Sequence, residues 1–233
     1  MKKKIYAMIP ARIGSKRLRK KNLALINKKP LINYVIEAAK QSRVFDKIIL
    51  NSDHKIFKKI AKENKIEFYL RPKKLGGGKI KSDDVVLDFI NKFPSDICVW
   101  VNPISPLQKS SEIKNVVKYF LRKKINSLIT VLDKKVHSVF ENKPINFKIK
   151  NKFAQTQNLK PIREMVYSIM MWDVKSFKKS MKLNGNGILH KKVDFYPVSQ
   201  MSGIIVKTKE DLKLVNQLLN LNKKKNYKIS YYK

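Results

Sequence analysis

Ile9-Pro10-Ala11-Arg12-Ile13-Gly14-Ser15-Lys16-Arg17-Leu18-Arg19-Lys20-Lys21-Asn22-Leu23 continues the apolar run Ile5-Tyr6-Ala7-Met8 and precedes a helical pattern that begins at Pro30. A buried first strand that feeds a Gly/Ser-containing, strongly basic loop and then a helix sets backbone N–H groups and cations around phosphates. The rest of the chain can be laid out from this loop.

Leu31, Ile32, Val35, Ile36 and Ala39 recur at helical spacing, which predicts a helix over 30–42 with one face on a sheet. Lys47-Ile48-Ile49-Leu50-Asn51 is a continuous apolar run, the pattern of a strand covered on both faces. Ser52-Asp53 is expected to cap a helix over 55–64, and Ile66–Leu70 reads as a third strand closed by Arg71-Pro72. Strand and helix alternating over this length predict a parallel sheet with crossover helices on both sides.

Leu75–Ser82 is a Gly-rich loop, but it lacks the insert length and the Lys-Ser/Thr pair of a Walker A motif. Ser82-Asp83-Asp84 is expected to cap a helix to Asn91. Ile97–Val101 is the most apolar strand and is expected at the sheet centre. It ends in Asn102-Pro103-Ile104-Ser105-Pro106-Leu107, a rigid turn at the carboxyl end, where open α/β sheets bind ligands. A helix over 111–124 and strands over 127–132, 165–172, 193–198 and 203–206 follow, with a helix near 174–181 and a last one over 209–221 capped by Thr208. Between 134 and 163 the rhythm breaks into short alternating pieces, read as an antiparallel insertion or dimerisation flap. Ile229–Tyr232 is expected to add a short strand or to fray.

The expectation is therefore one domain over 1–233. It is a three-layer, Rossmann-like α/β fold with a mostly parallel sheet, helices on both faces and a small antiparallel insertion. With 43% hydrophobic residues the chain can bury one substantial core. The 53 basic against 17 acidic residues give a net charge of +36 and raise nucleic-acid binding as an alternative function. Lysines spread over almost every segment, alongside abundant Asn and Ile, fit a bias toward A/T-rich codons better, and no base-reading motif accompanies them. No apolar run approaches the roughly 20 residues of a membrane span. The start is not expected to be a signal peptide, since its short apolar part ends in Pro-Ala-Arg. Cys98, the one cysteine, sits in an apolar stretch and is expected in the core, in keeping with a cytoplasmic location. His54, His137 and His190 show no metal-ligand spacing.

In this order the chain resembles the CMP-sialic acid synthetase group of cytidylyltransferases. The similarity is carried by Ile9–Leu23, Ile48–Asp53, Leu70-Arg71-Pro72 with Leu75, Ser82–Val85 and Asn102–Leu107. Five such motifs in the family's order are specific where one would be weak. The resemblance implies a nucleotide-diphospho-sugar transferase type of fold and a homodimer. CTP would be the donor and an acidic sugar, sialic acid or a related ulosonic acid, the acceptor; the products would be a CMP-sugar and pyrophosphate. It implies Arg12 and Lys21 as the catalytic phosphate-binding pair. Ala11, Gly14, Ser15, Lys16, Asn22, Arg71 and Ser82 would hold the nucleotide, and Asn102, Ser105 and Gln155 the sugar. Arg17, Arg19 and Lys20 are expected to be flanking charges.

The family also implies Mg²⁺ on an Asp-x-Asp-Thr segment before the last helix. Alignment on Thr208 puts Ile205 and Lys207 at those aspartates, and Arg163–Tyr167 stands where the family has Asn-Gly. An Ile cannot ligate a hard cation and a Lys repels one, so the metal ligands stay unknown. An active transferase, a branch with another acidic acceptor, and a nucleotide-binding homologue with impaired catalysis all remain open at this point.

Overall fold

The computed structural model describes residues 2–150 and 152–221; the tail with its expected strand at 229–232 lies outside the described residues. The chain begins with strand β1 (Ile5–Ala11), the basic loop, and a tight hairpin of two-residue strands, β2 (Leu25–Ile26) and β3 (Lys29–Pro30). Helix α1 (Leu31–Ser42), β4 (Lys47–Ser52), α2 (Phe57–Glu63) and β5 (Glu67–Leu70) follow, then α3 (Ser82–Lys92), β6 (Ile97–Val101), α4 (Ser110–Lys123) and β7 (Ser127–Lys134). A second small hairpin, β8 (Val139–Phe140) and β9 (Lys143–Pro144), precedes the long strand β10 (Ile162–Asp173), then α5 (Val174–Asn184), β11 (Val193–Pro197) and α6 (Lys209–Leu221).

Seven strands form one sheet in the order β11-β7-β10-β6-β1-β4-β5. All pairs are parallel except the two made by β10, which runs antiparallel to both β6 and β7. Ile97–Val101 is thus the middle strand, as its apolarity predicts. Period-two alternation decides the layers. In β1, Ile5, Ala7, Ile9 and Ala11 pack with α1, α2 and α4, while Met8 faces α3 and α5 on the other side. The expected three layers are borne out.

The order also fixes where a ligand can lie. From β1 the chain steps outward to β4 and β5, then crosses back to place β6 on β1's other flank. The loops leaving β1 and β6 therefore diverge and open a crevice at the carboxyl ends of parallel strands. A third cluster, with Leu18, Ile26 and Leu107 buried against Val206 and Val215, seats α6 behind the basic loop.

Three local expectations change. Residues 203–206 do not join the sheet: Ser199–Ile204 is a series of turns, and Val206 makes a single backbone bond to the Ile104 carbonyl (2.8 Å). Gly203 lies against Leu132, and a Cβ there would meet its side chain at 2.4 Å, so a turn takes the place that a strand residue could not fill. Ser82 does not cap α3 but is its first residue; Asp83 instead accepts the Gly187 and Ile188 N–H groups (2.7 and 3.0 Å), tying α3 to the loop after α5. Asp53 does not cap α2 either, for a reason that belongs to the site.

Candidate active site

The basic loop is held down by its apolar residues and leaves its polar ones free. Leu18 is buried in the α6 cluster, and Lys20, at φ 50°, turns the chain so that Lys21–Leu23 form one 3-10 turn. This points Lys21 and Asn22 inward. The result is a cleft of about 650 Å³ at the carboxyl edge of the sheet. Arg12, Ser15, Lys16, Arg17, Lys21 and Asn22 line it from the first loop. Arg71, Gly77, Ile80 and Ser82 close one side, Trp100 and Asn102–Ile104 the other, and Lys207 completes the rim.

Of the residues expected from sequence, Arg12, Lys21, Ser15, Lys16, Asn22, Arg71, Ser82 and Asn102 converge on this cleft. Ala11 is buried in the sheet beneath it, and Ser105 is buried in the turn after β6, its hydroxyl without a partner. Gly14 is exposed beside the cleft and does not line it; a Cβ there would meet nothing within 4 Å. Gln155 is exposed on the 152–161 segment, outside the lining.

Two buried groups define the cleft's chemistry. Asn22 is 4% exposed with its Oδ1 unpartnered, and Arg71, also 4% exposed, has an unpartnered Nε while its Nη1 donates to the Asn51 carbonyl (3.0 Å) and Oδ1 (3.2 Å). Such atoms cost about 1–3 kcal/mol each when nothing satisfies them, and these two, unlike the unpartnered atoms elsewhere in the molecule, belong to residues that line a cleft a ligand's polar edge could enter. Trp100 adds a third, its indole Nε1–H having no acceptor. On β6 the sequence gives Trp100 only an apolar strand's pattern, and nothing in it announces a donor.

Asp53 is a second residue missed by the sequence. Its Oδ1 accepts the Ile13 N–H (3.1 Å), and Gly76 lies so close that a Cβ would meet the carboxylate at 2.2 Å. The carboxylate thereby joins the basic loop to the 73–80 loop, and its charge opposes the cost of burying the Arg71 guanidinium. Arg17 is the other omission: it lines the cleft although its place in a basic run suggests a flanking charge, and Lys207, which stands at one of the family's aspartate positions, lines the cleft as well.

The electrostatics are one-sided. Burial pushes the Lys21 ammonium down to about 8, helped by Arg17, Arg12 and Lys207 and opposed by Asp211. Its Nζ donates to the Val206 carbonyl (2.9 Å), which ties the basic loop to the segment before α6. Asp211 itself accepts the Lys207 and Thr208 N–H groups (both 2.8 Å), while Thr208 Oγ1 accepts the Asp211 N–H (3.2 Å): a reciprocal cap on α6. The family-implied Mg²⁺ finds no carboxylate among the lining residues, and no group of three or more His, Cys, Asp or Glu side chains among the described residues could hold a metal. Ligands for a hard divalent cation are oxygens, so the residues present do not fit a protein-held ion.

On the Asn102 side of the cleft the backbone is strained. β10 shifts register between Met165 and Met170, and Tyr167 within this bulge has φ 55°, a rare conformation for a bulky residue. Asn102 holds it: its Nδ2 donates to the Tyr167 carbonyl (3.1 Å) and its N–H to that of Ser168 (2.9 Å). His137 is taken up in an aromatic stack on Phe153 (ring centroids 4.0 Å apart) and does not enter the cleft. Met170, Met171 and Trp172 are core residues, and Cys98 is buried with its thiol pushed far up by burial alone.

Among the described residues no helix is long and apolar enough to cross a membrane. The solved structure of a CMP:2-keto-3-deoxy-manno-octonic acid synthetase complexed with CTP shares the fold, with a TM-score of 0.72 over 94% of this chain and 99% of that one at 16% identity. An N-acylneuraminate cytidylyltransferase of Escherichia coli O18:K1:H7 is 37% identical over 121 residues, 52% of this chain but 29% of that protein. The chain therefore matches under a third of that relative's length. The pseudaminic acid cytidylyltransferase of Campylobacter jejuni is 31% identical over 181 residues, which cover 75% of this chain and 70% of its own. The cytidylyltransferase family model matches residues 6–170, from the first strand through the basic loop to the bulge of β10, and with both the model and this last relative spanning so much of it, the chain belongs to the cytidylyltransferase family.

Proposed function

We propose that the cleft binds CTP and transfers its cytidylyl group to a hydroxyl of an acidic sugar of the sialic-acid-like, ulosonic type. The acceptor oxygen bonds to the α-phosphorus, the bond from that phosphorus to the bridging oxygen breaks, and pyrophosphate leaves with the electron pair. The hydroxyl proton passes to solvent. In such a transfer the protein's part is positioning and spreading charge over the phosphates. Arg12 and Lys21 are the cations assigned to the phosphates, with Lys16 and Ser15 beside them. Gly14 and Ala11 supply backbone to the loop.

The observation that carries the assignment is the pair of buried, unpartnered atoms beside these cations: Asn22 Oδ1, an acceptor, and Arg71 Nε, a donor. Cytosine offers the complementary set, an amino donor and O2 and N3 acceptors. Ser82 is placed at the nucleotide's edge. Asn102, with Ser105 behind it in the same turn, is assigned to the acceptor end; Gln155 joins that end only where the 152–161 segment comes over it. We place the reaction in the cytoplasm and the chain in a homodimer joined through residues 134–163, where Val139, Phe140 and Ile145 are exposed.

Incubation with CTP, Mg²⁺ and a panel of ulosonic acids tests the assignment. Pyrophosphate release with at least one acid is expected. Absence of CTP binding by calorimetry would overturn it. The carboxylate-free cleft favours a second reading, a nucleotide-binding homologue with impaired catalysis, which predicts CTP binding without turnover on any acid.

A further inference from the structure

We propose that Lys21 and Lys207 form a cation-only seat for the terminal phosphates of the nucleotide, so that this chain takes up the triphosphate with no divalent ion held by its own carboxylates. The inference rests on the nucleotide assignment above and adds how the charge is met.

The geometry points to it in three ways. Lys21 crosses from the basic loop to the segment before α6 and spends one of its three donors on the Val206 carbonyl at 2.9 Å; the other two remain for a ligand. Lys207, the next residue, lines the same cleft with an exposed side chain, while its backbone N–H is engaged by Asp211. The carboxylates that act on the cleft's cations, Asp211 on Lys21 and Asp53 on Arg71, both accept backbone N–H groups. Asp211 closes the cap of α6, and Asp53 holds the Ile13 N–H against Gly76. A divalent cation entering this end would face ammonium groups and no free carboxylate among the lining residues. A polyanion entering it would relieve the mutual repulsion of Lys21 with Arg12, Arg17 and Lys207, the same repulsion that helps burial lower the Lys21 ammonium's proton affinity. Ammonium and guanidinium groups bind phosphate oxygens by charge-assisted hydrogen bonds, so the seat needs no second ion to be attractive.

Calorimetric titration of the full chain with CTP, once in excess chelator and once in excess Mg²⁺, tests this without any measurement of turnover. The wild type is expected to bind in chelator with a Kd within about threefold of its value in Mg²⁺. Lys207→Met, a change at an exposed side chain, should weaken binding in chelator by about tenfold or more. The double variant Ile205→Asp with Lys207→Asp should bind only when Mg²⁺ is present. Binding by the wild type in Mg²⁺ alone, or an unchanged Kd for Lys207→Met in chelator, overturns the seat and leaves the nucleotide assignment standing. No CTP binding in either condition overturns both.

Discussion

In the cleft, polar atoms are buried without partners: Asn22 Oδ1, Arg71 Nε and Trp100 Nε1. In residues 135–150 and 152–161 it is apolar side chains that stand in water, with Phe140 67% and Phe153 80% exposed. Each is an unmet demand, and each names a different partner. A buried polar atom asks for a small molecule that brings hydrogen bonds into a dry place. An exposed apolar patch asks for a surface that removes it from water. The cleft is built on strand ends whose neighbours are packed on both faces, so it can hold such atoms in place. Residues 135–150 and 152–161 carry the β8–β9 hairpin, whose Glu141 and Asn142 at φ 47° and 62° make a two-residue turn fitted to paired strands, a 3-10 turn at Thr156–Asn158 and a small stack of His137, Phe147 and Phe153.

The strongest way to break this contrast is to remove charge from the cleft. Arg12→Ala or Lys21→Ala is expected to lower turnover by about two or more orders of magnitude, read as pyrophosphate release, while the unfolding midpoint stays close to the wild type's. A loss under about threefold would take these two residues out of the chemistry.

Next in size is the flap. Phe140→Asp combined with Ile149→Asp should convert a dimer to a monomer in sedimentation equilibrium at micromolar concentration, with CTP affinity changed less than about twofold. A wild type that sediments as a monomer removes the homodimer, and a variant that stays dimeric moves the interface elsewhere.

Asp53 probes the join between loop and sheet. Asp53→Ala should reduce turnover by about tenfold, because the Ile13 N–H loses its acceptor, and Asp53→Asn, which keeps an oxygen there, should recover most of it. Equal losses in both variants would mean that the charge beside Arg71 matters more than the hydrogen bond.

A smaller effect follows from pH. Lys21 has its folded-state value lowered to about 8, below the ordinary 10.5, by burial and by Arg17, Arg12 and Lys207, with Asp211 opposing. Lowering favours the neutral form in the folded chain. This group's contribution to stability therefore rises with pH between about 8 and 10.5, and is least below 8. Bound phosphate reverses the preference, so CTP binding should take up protons near pH 8 and weaken as pH climbs above it. Calorimetry in buffers of different ionisation enthalpy reads that uptake, and none at pH 8 to 9 would remove Lys21 from the phosphate contact.

The smallest contrast is between two glycines. Gly14→Ala should shift stability by less than about 0.5 kcal/mol, since its Cβ would meet nothing within 4 Å. Gly203→Ala should cost about 1–3 kcal/mol, because its Cβ would meet the Leu132 side chain at 2.4–2.7 Å. Chemical denaturation measures both. Equal effects would show that the basic loop is packed more tightly than its open surroundings indicate.

What could be known from the sequence follows how local each property is. Strand positions in β1, β4 and β6 are legible because period-two burial and continuous apolar runs are written into neighbouring residues. The misplaced strand at 203–206 shows the limit: Ile204, Ile205 and Val206 have a strand's composition, but the N–H groups of Gly203 and Ile204 are spent on turns back to residues 199–201, with Gly203 set closely against Leu132. Arg12, Lys21, Asn22 and Arg71 are legible only through the resemblance of their motifs to the cytidylyltransferases, and the structure brings all four to the lining of one cleft. Asp53 has the local context of a helix cap, and nothing within a few residues tells that its carboxylate serves the Ile13 N–H, 40 positions earlier.

By itself, then, the sequence determined the order of most strands and helices, the basic loop after the first strand and the buried character of Cys98, because hydrophobic periodicity and loop composition act over a few residues. Only the tertiary structure decided which of many lysines and arginines face one another. Lys21 reaches the Val206 carbonyl across 185 positions of chain, and that contact brings Lys207 to the same rim. Long polar side chains find their partners through the packing of whole elements, and here the packing of α6 against Leu18 and Ile26 gathers part of a diffuse positive charge around one cleft.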